Sequence, residues 1–167
     1  MQPRMTNIVI LVPEALKAMQ ALGDAVHDSP LPGKTIDLVH LRASQINGCS
    51  VCVDMHAKAL KRSGETDERI YAVAAWRDAP YFNDTERAAL ALTEAVTRLS
   101  DRPDPVPDDL WAEAAAHFDE AGLAAVILDI AQINVWNRLN VSTRQVAGEW
   151  LKSPEARKYA EAGAAAR

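Results

Sequence analysis

Aromatic residues make up only 5% of the 167-residue chain, and there are only two cysteines. With rings scarce and Ala and Leu abundant, the composition favours helices over sheets. No apolar run is long enough to span a bilayer. No block of like charge occurs either, which excludes a polyanion-binding or membrane-surface arm. The formal charge of −5 argues against a nucleic-acid surface, because phosphate binding needs clustered Lys and Arg. No secretory leader is expected. The apolar run Ile8 to Val12, closed by Pro13, is too short for one and lacks a small-residue cleavage site. A cytoplasmic location is therefore expected, with no nucleic-acid or membrane partner. In that reducing setting a close cysteine pair points to catalysis or metal binding rather than to a structural staple.

What is present is ordinary for a soluble globular chain, with 49% hydrophobic and 25% charged residues, and enough for one domain with a proper core. A single domain over 1–167 is expected, with its core at about 30–145 and a frayed Ala-rich tail from Ala162. Apart from Ile8 to Val12 there is almost no strand signal, whereas helical spacing recurs.

Pro13 opens a helix through Leu16, Met19 and Leu22, and a second runs from Pro32-Gly33 through Ile36, Leu38, Val39, Leu41 and Ile46 to Asn47-Gly48. A third begins near Cys49 and stops at Ser63-Gly64, and Thr66 caps a fourth that ends before Pro80. Asn83 and Glu86 form a capping-box pattern for the fifth. Pro107 suits the first turn of a sixth, and Gly122 separates it from a seventh, Leu123 to Leu139, apolar on nearly every side and so expected at the centre. Ser153-Pro154 opens a last short helix. The reading is an all-α bundle of about seven to eight helices. Gln45-Ile46-Asn47 recurs as Gln132-Ile133-Asn134, a hint of a two-fold internal repeat.

The strongest chemical signal is Cys49-Ser50-Val51-Cys52-Val53-Asp54-Met55-His56. On a helix starting at Cys49, the cysteines share one face at disulfide spacing, and His56 lies one turn beyond Cys52. The first turn of a helix offers unpaired N–H groups, and a nearby imidazole can take the thiol proton, so thiolate is favoured. A thiolate cleaves a peroxide O–O bond and becomes a sulfenic acid, which a second thiol converts to a disulfide. An external dithiol must then restore the pair. If the second and third helices form an antiparallel hairpin about Asn47-Gly48, Asp37 and His56 reach similar height at roughly 1.5 Å per residue. Asp37 would then hydrogen-bond His56 and complete a proton relay.

The stretch Asp37 to His56, with its Ser44-Gln45-Ile46-Asn47-Gly48 lead into the cysteines, resembles the AhpD-like branch of the carboxymuconolactone decarboxylase family. The likeness continues through Gly64-Glu65-Thr66, Ala74 to Pro80, Glu86 to Leu90 and Ile133 to Arg138. The resemblance implies that family's helical bundle, assembled as a homo-oligomer (trimer or hexamer). It also implies reduction of small alkyl hydroperoxides, with recycling by a lipoyl-type or thioredoxin-type dithiol protein and no cofactor. Carried over residue by residue, Cys52 is the attacking thiol, Cys49 resolves, and His56 shuttles protons with an upstream acid. Two departures stand out. The acid is Asp37 where the family has Glu, one methylene shorter, and Val51 stands where well-characterised members carry a histidine.

Other readings remain beside this one. Cys49, Cys52, His56 and Asp37 or His40 could hold zinc or form a redox sensor, and the family's other branch decarboxylates or isomerises lactones without a thiol pair. Taken alone, the cysteines could be small buried hydrophobes. His40 is read as solvated or at an interface, and His27 and His117 carry no role. Trp76 and Trp136 are expected in the core or at a subunit interface, with a substrate-pocket wall as the other reading. Asn134 and Asn137 either brace the site or satisfy helix ends.

Overall fold

A computed structural model of the chain describes residues 2–149 and Lys152. Among these residues there are eight α-helices, one 3-10 turn and no strand: α1 (Ile8–Leu11), α2 (Pro13–His27), α3 (Gly33–Ile46), α4 (Ser50–Arg62), α5 (Asp67–Ala72) with the 3-10 turn Val73–Ala75, α6 (Asp84–Thr97), α7 (Asp108–His117) and α8 (Glu120–Thr143). The helix expected at Ser153-Pro154 and the tail beyond it lie outside the described residues. No described helix is long and apolar enough to cross a membrane.

The one strand-like run in the sequence folds as a helical turn. Asn7 accepts a hydrogen bond from the Val9 N–H and starts α1, and the chain passes directly to Pro13 at the first position of α2. An isolated five-residue run has no partner strand to pair with, so a capped turn is the better outcome for its backbone. Gly122 is likewise not the divider between α7 and α8. The break falls at Phe118 and Asp119, both extended, and Asp119 caps α8 by accepting from the Gly122 N–H. The Asn83–Glu86 capping box of α6 is formed in both directions.

The organising element is α3, which packs on α4, α6 and α8. Its apolar residues divide between two cores. Ile36 and Val39 join Val26, Leu92, Val126 and Ile130 on one side. Leu38 and Leu41 join Leu60, Ile70, Val73, Trp76 and Leu90 on the other. Each Leu or Ile buried this fully contributes about 1.5–3 kcal/mol, so α3 is pinned from two directions. The third face of α3 carries Asp37, His40, Ser44 and, at its C-cap, Asn47, at spacings of three and four residues. That polar stripe is turned toward α4 and α8.

As expected, α8 runs through the middle, burying Leu123, Val126, Ile130 and Ile133. It is less uniformly enclosed than its apolar sequence implied, since Leu128 and Val135 remain 46% and 44% exposed. It also buries Asp129, Gln132, Asn134, Asn137 and Asn140. Beside these, α2 approaches α8 closely. A Cβ on Gly23 would stand 2.8 Å from Gln132 Nε2, which instead donates to the Met19 carbonyl at 2.8 Å.

Candidate active site

The α3–α4 corner sets the position of the cysteines. Gly48 adopts φ +65°, a conformation that favours glycine. Its N–H reaches the Gln45 carbonyl at 3.3 Å, and the Cys49 N–H reaches that of Ser44 at 3.0 Å. These two bonds are the Schellman closure of α3, and the next residue begins α4. Cys49 is the N-cap of α4, its sulfur accepting from the Cys52 N–H at 3.3 Å. Cys52 sits in the first turn, where the unpaired amides of the helix favour negative charge.

Both cysteines are free thiols and buried, packed with Ala43, Val51 and Ile133 and flanked by Met55 and Trp136. They differ in what they face. Cys52 lines a cavity of about 410 Å³, together with Asp37, His40, His56 and Asp129; Cys49 lies behind it and does not line that space. Val9, Leu16 and Met19 from the N-terminal helices and Met55, Ile133 and Trp136 supply much of the apolar wall.

The thiols titrate as a pair in opposite directions. A hydrogen bond from Cys49 pulls the Cys52 pKa down to about 7 against burial, helped by Asn140, Asn137 and the charge of His40. The same interaction, together with burial, pushes the Cys49 thiol up. Cys52 is thus the more readily ionised thiol and Cys49 the one that holds its proton. Asn140, from α8, donates to the Cys52 sulfur at 3.4 Å.

Asp37 and His56 come together across the α3–α4 hairpin, with His56 Nδ1 at 3.3 Å from Asp37 Oδ1. The short aspartate reaches directly, without needing a bridging water. Burial and then the charge of His40 push the His56 pKa down to about 4, opposed by Asp37. His56 is therefore a neutral imidazole at pH 7.

The solvated reading of His40 is overturned. Rather than being solvated, its side chain is only 12% exposed, its Nε2 lies 2.6 Å from Asp129 Oδ1, and its ring meets the His56 ring edge-on at 4.5 Å. The Asp129 contact is close but not aligned as a hydrogen bond, and neither carboxylate oxygen has a hydrogen-bond partner among the described residues. Burial pulls the His40 pKa down, yet the charge and contact of Asp129, with Asp37 and Cys52 adding, leave it above the ordinary value.

Asn134 and Asn137 brace the corner. Asn47 Nδ2 donates to Asn134 Oδ1 at 2.9 Å and to Asn137 Oδ1 at 2.8 Å, and Asn137 in turn donates to Ser44 Oγ at 3.0 Å. Asn47 and Asn134, the matching ends of the repeated tripeptide, thus bond to each other. Trp136 borders the cysteines and the cavity, whereas Trp76 lies in the other core and donates to Glu94 Oε1 at 2.9 Å.

Sequence reasoning passed over Asp129 and Asn140 and misplaced His40. The signals were present: an acid inside the most apolar helix, and the Asp37-x-x-His40 spacing on the face that also carries Ser44 and Asn47. Asp37, His40 and His56 each offer a ligand atom within 4.8 Å of the others, a set without either cysteine. Each imidazole of this set has a carboxylate beside it, His40 that of Asp129 and His56 that of Asp37.

The model of the carboxymuconolactone decarboxylase family matches residues 13–95. YdfG of Bacillus subtilis, an uncharacterized protein, is 36% identical over 132 residues, covering 79% of this chain and 88% of its own. YnjA of Escherichia coli, also uncharacterized, is 37% identical over 130 residues, covering 77% and 69%. A solved structure from Agrobacterium tumefaciens, a protein of unknown function provisionally called the antioxidant defence protein AhpD, superposes with a TM-score of 0.82. It is 37% identical, over 87% of this chain and 98% of that one. The chain belongs to the carboxymuconolactone decarboxylase family, and its fold is the AhpD-like helical bundle.

Proposed function

We propose that the protein is a thiol peroxidase that reduces alkyl hydroperoxides at Cys52. The observation that carries this reading is the asymmetry of the pair. Cys52 faces the cavity with its pKa lowered, while Cys49 sits behind it, protonated and within hydrogen-bonding reach. The likeness to the Agrobacterium structure, provisionally called an antioxidant defence protein, supports it.

The Cys52 thiolate attacks the terminal peroxide oxygen, the O–O bond breaks, sulfur is oxidised by two electrons to a sulfenic acid, and the alkoxide takes a proton to leave as alcohol. His56, neutral and held by Asp37, removes the Cys52 proton beforehand and returns it to the alkoxide. Cys49 then attacks the sulfenic sulfur, expelling water and forming the disulfide. A dithiol protein of the lipoyl or thioredoxin type reduces that disulfide by exchange and becomes oxidised in turn. The wall of Val9, Leu16, Met19, Ile133 and Trp136 suits an apolar alkyl group.

Self-association as a trimer or hexamer belongs to the same reading, supported by Leu128 and Val135, seven residues apart on one face of α8 and exposed in the single chain. Light scattering of purified protein tests it. For the chemistry, cumene hydroperoxide with dihydrolipoamide should be turned over by the native protein and not by Cys52→Ser. One equivalent of peroxide should remove both thiols in the native chain, whereas Cys49→Ser should stop at a dimedone-reactive sulfenic acid. Equal turnover by Cys52→Ser would overturn the assignment.

A further inference from the structure

We propose that His40 and Asp129 form a second histidine–carboxylate pair of the site, in which Asp129 anchors His40 as a fixed imidazolium that positions the His56 ring and stabilises the Cys52 thiolate. The inference rests on the thiol chemistry proposed for Cys52 and adds a positioning pair to it.

Three observations converge. First, His40 and Asp129 come from different helices, α3 and α8, and meet at 2.6 Å with side chains 12% and 1% exposed. An ionised carboxylate this deeply buried is costly without a cation beside it, and His40 is the group in contact with it that can carry that charge. Second, the His40 ring stands edge-on against His56 at 4.5 Å, and His56 also contacts Asp37 at 3.3 Å. The ring proposed to move protons therefore has both a neighbouring imidazole and a carboxylate against it. Third, His40, Asp129, His56, Asp37 and Cys52 line one cavity, so the fixed charge and the thiolate share a poorly solvated space where charges act strongly on each other.

The two histidines consequently divide the work. A single imidazole cannot be both the standing positive charge that favours thiolate and the neutral base that accepts its proton. Here the anchored ring supplies the charge. His56, whose protonation that charge opposes, stays neutral. The groups facing His40 are Asp129 from α8, His56 and Cys52 from α4, and Asp37 on its own helix. Asp24 and His27 of α2 and Glu149 line the same cavity.

The test reads the thiol rather than peroxide turnover. The pH profile of Cys52 alkylation by iodoacetamide is measured in Cys49→Ser protein and in the same background with Asp129→Asn, Asp129→Glu or His40→Gln. Asp129→Asn and His40→Gln should raise the midpoint by about half to one unit, and Asp129→Glu should restore part of the shift. A merely structural pair would lower the melting temperature and leave the midpoint in place, and that result overturns the proposal. Because substitutions at a buried pair can prevent folding, ¹⁵N imidazole spectra of the full native chain give an independent reading, with His56→Gln used for assignment. They should show His40 protonated on both nitrogens at pH 7 and His56 neutral. A neutral His40, or one equivalent of zinc held by Asp37, His40 and His56 in the purified protein, would refute it. If the midpoint responds while no hydroperoxide is turned over, the pair stands and the substrate reading falls. Turnover with an unmoved midpoint means the reverse.

Discussion

Asn140 donates its side-chain amide to the sulfur of Cys52 across 3.4 Å, joining α8 to the first turn of α4. A neutral donor aimed at a buried sulfur stabilises the thiolate over the thiol, because the charged acceptor gains more from the bond. Asn140→Ala removes that donor. The pKa of the Cys52 thiol is drawn down to about 7 by its neighbours, and in this variant its alkylation midpoint should lie about one unit above that of the native chain. Asn140→Asp, which brings a negative charge in place of the donor, should raise it further. Unchanged midpoints in both variants would mean that the contact does not act on the thiolate.

His56 gives the fold a distinctive acid limb. Its pKa is lowered from 6.5 to about 4 by burial and by the charge of His40. Between those values the unfolded chain binds a proton that the native chain refuses, so stability rises with pH through this window and falls on acidification. From pH 7 to pH 4.5 this one group accounts for a loss of about 2 kcal/mol. Urea unfolding at the two pH values should show a correspondingly smaller loss for His56→Gln than for the native chain. Parallel behaviour would show that His56 is not a buried neutral imidazole. Glu65 and Glu94, both with lowered pKa values, contribute their own acid limb equally to both proteins.

How much of this was legible in the sequence follows from the range of each interaction. The thiol pair, its helix start and the Asp37–His56 meeting depend on one hairpin, so local spacing was enough to place them. The capping box at Asn83 and Glu86 is local too. His40 and Asp129 lie on α3 and α8, and nothing within a few residues of His40 reveals a carboxylate arriving from a helix so distant in sequence. The Ile8–Leu11 run failed differently. Its apolar pattern fits strand or helix alike, and the Asn7 cap with the adjoining Pro13 decides the outcome. For Asn134 and Asn137, the sequence showed amides that needed partners but not that the partner was Asn47.

Gly48 and Gly64 provide a matched pair of tests. Each closes a helix with a positive φ, +65° and +83°, and at each a Cβ would meet nothing within 4 Å. Replacing either by Ala should therefore cost about 1–2 kcal/mol through backbone strain alone. Only Gly48 adjoins the cysteines. Gly48→Ala should slow diamide-driven pairing of Cys49 with Cys52, and Gly64→Ala should lose similar stability with the pairing rate intact. Equal effects on pairing would show that general loosening, rather than the corner's geometry, controls it.

Glu94 separates stability from chemistry at the other side of α3. Its carboxylate receives Arg42 Nε at 2.8 Å and Nη2 at 2.6 Å, Trp76 Nε1 at 2.9 Å and Arg77 Nη2 at 2.9 Å. Arg42 and Glu94 are each only 13% exposed, so Glu94→Ala strands a guanidinium and an indole N–H together. The expected cost is about 3 kcal/mol at pH 7, read from urea unfolding. The lowered Glu94 pKa gives the sign of its pH dependence. The contribution is present above the unfolded carboxylate pKa and fades as pH falls through the folded one, so the two unfolding curves should converge in acid. Arg42 points away from the stripe that carries Asp37 and His40, toward α6, so the alkylation midpoint of Cys52 should stay near its native value in the folded variant. A loss below about 1 kcal/mol would place this cluster among ordinary surface ion pairs. A shifted midpoint would show that α3 transmits strain from Glu94 to the thiol.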